Sequence, residues 1–206
     1  MSSIIDVTLF STTFLTLFVI MDPPGTVPVF LALTSTMTAK QRARAALQAV
    51  YVAFGVIMAF TLFGQAILRF LHISVPALQA SGGLLLLLVA LELLTGKAEE
   101  PQPSGRGVNV ALVPLGTPLL AGPGAIVASM LAVQQGDGDV ASWVAIIAAI
   151  VLVHVSLWIA MRFAGVIHRV LGEGGTTLVT RIAGLLLAAI AVQLIADAVR
   201  AFVLEG

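Results

Sequence analysis

The chain has 206 residues, 59% of them hydrophobic and 10% charged, with a formal net charge of zero and a mean hydropathy of +1.10. Soluble domains carry roughly 25% charged residues, so this composition excludes a water-covered globule. With no basic excess and no cysteine, nucleic-acid binding, a disulfide framework and a thiolate metal site are excluded as well.

Continuous apolar runs such as Leu84-Leu85-Leu86-Leu87-Leu88 argue for helices over a β-barrel, whose strands alternate apolar and polar residues. The fold class expected is therefore all-α, a polytopic membrane protein. No Lys or Arg precedes Lys40, so a cleavable signal peptide is not expected and the first apolar stretch should stay in place.

About 20 apolar residues cross a bilayer. In chain order the charge-free windows are residues 7–21 with a continuation to 39, then 45–68, 76–91, 108–135, 140–161 and a short last one, 182–196, which frays at Arg181, Asp197 and Arg200. The first and fourth contain breakers: Asp22-Pro23-Pro24-Gly25 with Pro28 after it, and Pro114, Pro118 and Gly122-Pro123-Gly124. Proline removes a backbone donor, and the freed groups are tolerated at membrane depth only inside protein or beside a polar cavity. Both windows are read as broken or re-entrant helices.

The breaks repeat. Pro24-Gly25 lies over Pro123-Gly124, Gly83-Leu84-Leu85-Leu86 over Gly184-Leu185-Leu186-Leu187, and Glu92 over Gln193, at nearly one offset. The chain divides into a first three-span repeat (1–96), a polar linker (97–107) and a second three-span repeat (108–206). Counting Lys and Arg puts Lys40, Arg42, Arg44, Lys97, Arg106, Arg162, Arg169 and Arg181 on one side and Arg69 and Arg200 on the other. This places the first set in the cytoplasm and both termini outside. An odd number of spans per half then gives inverted repeats, each with a broken first helix; re-entrant hairpins would make the halves parallel instead.

A helix that starts after a break presents unpaired N–H groups and the positive end of its dipole. The candidate ends are Gly25-Thr26 and Gly124-Ala125, which together would hold a substrate carboxylate. Ala121, Gly122, Ala125 and Ala128 leave room, and Thr26, Thr34, Thr117 and Ser129 offer hydroxyls; simple kinking for packing is the competing account. A carboxylate inside a span costs roughly 2.5–3.5 kcal/mol, so Asp22 has a task as proton acceptor, Na⁺ ligand or ammonium partner, a cap on the following half-helix, or both. His154 is read as a neutral histidine bonded across helices ahead of a proton relay. Glu92 with Lys97, and Asp197 with Arg200, are read as solvated pairs. Gly82-Gly83 and Gly184 are read as close-packing positions. No metalloprotease, nucleophile-elbow or Walker motif is present in the sequence, and no enzyme activity is expected.

Asp22-Pro23-Pro24-Gly25-Thr26-Val27-Pro28-Val29-Phe30 resembles the Asn/Asp-Pro-x-Gly-Asn-x-Pro-x-Phe motif of the MarC family of bacterial inner-membrane proteins. The stretch from Pro114 to Ile126 is similar to that family's second motif, with departures at Thr26, Gly116 and Thr117. The resemblance covers essentially the whole chain. It implies a six-span secondary transporter or exporter of small neutral amino acids such as glycine or alanine, coupled to Na⁺ or H⁺ and related to exporters of the LysE type.

The expected substrate site lies between the breaks, at Asp22, Pro24, Gly25, Thr26, Gly122, Pro123, Gly124 and Ala125, with Asp22 as the coupling residue. No cofactor is expected beyond Na⁺ as a coupling ion. The expected partners are a small zwitterionic solute and the lipid bilayer, and a homo-oligomer is left open. The location is the bacterial inner membrane. Two other readings stand: an intramembrane lipid or isoprenoid enzyme using Asp22 and His154, and a non-transporting assembly module.

Overall fold

The computed structural model describes residues 5–96 and 120–205. The linker, Pro114, Gly116, Thr117 and Pro118 lie outside them. Seven α-helices follow in order: α1 (Val7–Met21), α2 (Pro23–Leu33), α3 (Ala39–Phe70), α4 (Val75–Thr95), α5 (Pro123–Gln135), α6 (Val140–Arg162) and α7 (Ala164–Glu205). No strand occurs among the described residues. Counting α1 and α2 as one crossing, five helices are long and apolar enough to span a bilayer, and α5 is a shorter apolar helix. The side chains they turn outward are large and apolar, among them Phe63, Leu84, Leu88 and Leu185, each at least half exposed. That is a surface for hydrocarbon, not water. The molecule is a multi-pass integral membrane protein.

Local chemistry sets the ends. Asp6 caps α1 by accepting from the Leu9 N–H at 2.9 Å. Thr38 and Gln41 form a reciprocal capping box on α3, and Ser74 and Asp139 cap α4 and α6. Each supplies an oxygen to a first-turn amide that has no partner within its own helix.

Where the interior is tight, the residues are small. α3 turns Ala45, Ala46, Ala49, Ala53 and Ile57 inward at helical spacing, and the core they share with α6 includes Ala145, Ile150 and Val153. Small side chains let helices approach closely where lipid gives no hydrophobic drive to associate. A second core, Leu86 and Ala90 with Leu187 and Ala191, forms the seam between α4 and α7. A Cβ on Gly83 would press on the Ala191 carbonyl and Ile195, and one on Gly184 on the Ala90 carbonyl and Leu93. Rising numbers on α4 therefore meet falling numbers on α7, so the two helices are antiparallel. The close-packing role expected of Gly83 and Gly184 is what the seam uses.

Three expectations change. The last crossing is not a short helix fraying at charges: α7 continues through Arg181, Asp197 and Arg200, and its one non-helical residue is Gly172 (φ 65°, ψ −179°). Charged side chains do not interrupt backbone hydrogen bonding; a left-handed glycine does. The bond the structure gives Asp197 is not with Arg200: its Oδ1 accepts from Gln193 Nε2 at 2.9 Å, one turn back. His154 bonds along its own helix, Nδ1 to the Ile150 carbonyl at 2.7 Å, and meets α3 with its ring edge-on to Phe54. Glu92 is exposed; its expected partner Lys97 lies outside the described residues.

Candidate functional site

The first break is built by Asp22. Two prolines follow it, and the residue before a proline is driven out of the helical region. Asp22 takes a left-handed conformation (φ 39°, ψ 69°), which costs a non-glycine residue about 1–2 kcal/mol. The single residue ends α1 through its N–H, which donates to the Phe18 carbonyl at 3.1 Å. It also starts α2, because its Oδ1 accepts from the Gly25 N–H at 3.1 Å. α1 and α2 make few contacts with each other, so they continue one crossing and do not fold into a re-entrant hairpin. Within α2, Pro28 withholds from the Pro24 carbonyl the amide it would otherwise receive.

Asp22 is 7% exposed, and its second carboxylate oxygen, Oδ2, is buried with no hydrogen-bond partner. Buried charges normally come with partners, so a lone carboxylate oxygen at this depth is a place for a cation, a proton or an ammonium group. Gly25 makes the arrangement fit: any Cβ there would collide with Asp22 Oδ2 and would stand 3.0 Å from Thr180 Oγ1. Thr180 belongs to α7 in the second half, so both halves furnish oxygens around Gly25. Thr26 is buried, its hydroxyl donating to the Asp22 carbonyl at 3.0 Å.

The second break differs. α5 starts after Gly122, which offers no side-chain cap, with Pro123 in the first turn. Gly124 and Ala125 are buried. A Cβ on Gly124 would collide with Leu86 and stand 3.5 Å from Ile20. Ile20 is two residues before Asp22, so the two breaks are neighbours in one core that also holds Met21, Val27, Ala121 and Ala125.

One expectation fails at the level of single bonds. The Gly25 N–H is held by Asp22 Oδ1 and the Thr26 N–H by the Asp22 carbonyl at 2.9 Å. In α5 the Ala125 N–H is held by the Gly122 carbonyl at 3.0 Å. These amides do not await a carboxylate. At the first break the group left over is negative, not positive. The hydroxyls of Thr34 and Ser129 are likewise used, on the Phe30 and Ile126 carbonyls.

A cavity of about 370 Å³ lies between α1, α5 and α7, with Thr12, Thr13, Thr16, Gln135, Gln193 and Asp197 among its lining and Leu17 and Ala128 in its wall. Leu17 is one turn from Met21, and Ala128 is one turn from Ala125, so the cavity ends a turn short of the breaks. Thr13 is 4% exposed and its hydroxyl has no partner. The threonines were the missed residues. Thr12, Thr13 and Thr16 have the spacing of one helix face, a signal present in the sequence, whereas nothing local pointed to Thr180. Asp22 and His154 share none of this: His154 lines a separate apolar groove between α3 and α6, and its Nε2, like Asp22 Oδ2, has no partner.

Helices adapted to lipid, one broken at mid-crossing around a buried acid, define a polytopic membrane protein with a polar site in its interior. The profile described as MarC family integral membrane protein matches residues 7–203, and the chain belongs to that family. It is 36% identical to a UPF0056 membrane protein of Methanocaldococcus jannaschii, over 95% of this chain and 98% of that one. It is 32% identical to the UPF0056 inner membrane protein MarC of Citrobacter koseri, over 86% and 88%, and 31% identical to the UPF0056 membrane protein YhcE of Escherichia coli, over 91% and 90%. No solved structure matches the chain.

Proposed function

We propose that this protein is a secondary transporter or exporter of small neutral amino acids, coupled to Na⁺ or H⁺, with its site at the paired breaks. One observation carries the reading: Asp22, buried at the joint of a broken crossing, keeps one carboxylate oxygen without a partner while its other oxygen is consumed as a cap. Asp22 Oδ2 receives the coupling cation or the substrate ammonium, and Thr180, from the other half, completes the oxygen set. The cavity containing Thr13 is the approach from the side on which α1 begins.

Two inverted halves provide the moving parts. The antiparallel α4–α7 seam supports this, because Gly83 meets Ala191 and Ile195 while Gly184 meets Ala90 and Leu94, contacts that map onto each other under the offset of the sequence repeat. Antiparallel equivalents imply a two-fold axis in the membrane plane, as in inverted-repeat carriers. Cations gather where α3 begins and α6 ends, which supports the reading that this side faces the cytoplasm and both termini lie outside.

The test is uptake of labelled glycine and alanine into proteoliposomes, with and without Na⁺ and pH gradients. Gradient-stimulated accumulation of either supports the proposal. Absence of both uptake and exchange for every small neutral amino acid contradicts it.

A further inference from the structure

On the side of the membrane opposite the Thr13 cavity, a second cavity of about 270 Å³ opens where α3 begins and α6 turns into α7. Three arginines line it: Arg42 from α3, Arg162 from the end of α6 and Arg169 from the start of α7. No carboxylate is among its described lining residues, while Ala39, Ala43 and Gly165 leave it space. Arg42 donates from Nη2 to the Thr34 carbonyl at 3.2 Å, which fixes its direction, yet its buried Nε has no partner. Arg162 lies over the Phe163 ring, 5.6 Å from its centre. Guanidinium groups match phosphate oxygens in geometry as well as charge.

Directly inward, the apolar groove between α3 and α6 continues the same line. Ala43 is in the arginine cavity and Leu47, one turn on, is in the groove; Met161 and Trp158 make the same step on α6. The groove has a volume of about 340 Å³, with Tyr51, Phe54, Val151 and Val155 among its walls. Tyr51 and Val155 are 67% and 43% exposed, so no protein segment among the described residues fills it.

A cationic head cavity above an apolar trough has the shape of one ligand. We infer that this is a binding site for a glycerophospholipid with an anionic headgroup. Its phosphate is held by Arg42, Arg162 and Arg169, and one acyl chain lies between α3 and α6. Basic pockets between helices on the cytoplasmic side are suited to such headgroups. The lipid bridges α3 of the first half and α6–α7 of the second. The inference does not depend on amino acid transport.

Native mass spectrometry of the full chain, with defined lipids added to the detergent, tests it. Phosphatidylglycerol should be retained about tenfold better than phosphatidylcholine, and inorganic phosphate should neither bind measurably nor displace it. Arg162→Gln with Arg169→Gln, both at exposed positions, should remove that preference while leaving the melting temperature in lipid-free detergent unchanged. Arg44→Gln, on the same side but outside the cavity, should retain it. Val155→Trp, which fills the groove, should weaken retention with the arginines intact. Three results would overturn the site: Arg44→Gln acting like the double variant, which would mean diffuse surface charge; Val155→Trp having no effect; or phosphate binding as well as the lipid, which would mean an anion pocket without a lipid. Should the double variant melt early, Arg169→Gln alone gives the same comparison.

Discussion

The two breaks look alike as sequence, each a Pro-Gly inside an apolar stretch, yet they solve the exposed helix start differently. At the first, Asp22 supplies both the stop and the cap and has an oxygen to spare. At the second, Gly122 has nothing to cap with, and the start of α5 is defined by tight packing against Leu86 and Ile20. Two breaks alike in sequence are thus one chemical element and one steric element, placed side by side.

The difference can be broken by adding single methyl groups. Gly25→Ala should be the most damaging change. It drives the Asp22 carboxylate off its cap and out of the site, so transport should fall to background, and the melting temperature should drop as expected for an overpacked site that costs about 1–3 kcal/mol. Gly124→Ala collides instead with the end of the Leu86 side chain; stability should fall while residual transport persists, and Leu86→Val in the same chain should recover part of the loss. Thermal melting in detergent and uptake in proteoliposomes separate the two.

Smaller changes sharpen it. Thr180→Val keeps the shape and removes the hydroxyl, so KM for the solute should rise about three- to tenfold, the range of one ordinary hydrogen bond, with little change in melting. Gly122→Ser gives the second break the cap it lacks, at a backbone conformation (φ −64°, ψ 162°) that any residue accepts. A gain of a few tenths of a kcal/mol is expected, readable as slower hydrogen exchange in the first turn of α5.

The smallest effect lies outside the membrane, at Asp139. Hydrogen bonds from Ser142 hold its carboxyl below the ordinary value. The group is stabilising in its charged form, so its contribution is present above the ordinary carboxylate pKa and lost as the pH falls through the lowered one. Asp139→Ala should therefore melt slightly below the parent near neutrality, and the gap should close in acid.

Much of this architecture was legible because proline and burial cost act locally. Asp22-Pro23-Pro24-Gly25 announced a stop, a restart and a carboxylate needing a reason, and each is there. The small glycines of α4 and α7 announced close approach. What the residues did not disclose was bond assignment. Whether the Gly25 amide waits for a ligand or is taken by Asp22 depends on a side-chain torsion, and the negative character of the site follows from that choice. Thr180 was invisible because it comes from a distant helix. The length of α7 was missed because charge was read as an end signal, when the helix runs on through Arg181 and Asp197 without a stop.

The most direct measurement compares gradient-driven uptake with solute exchange for the parent and Asp22→Asn. Asparagine caps a helix about as well as aspartate, so fold and backbone break should survive while the ionisable oxygen is lost. The account predicts that Asp22→Asn loses at least about tenfold of its gradient-driven accumulation and shows no remaining dependence on Na⁺ or pH. Coupling that is unchanged in Asp22→Asn would contradict it.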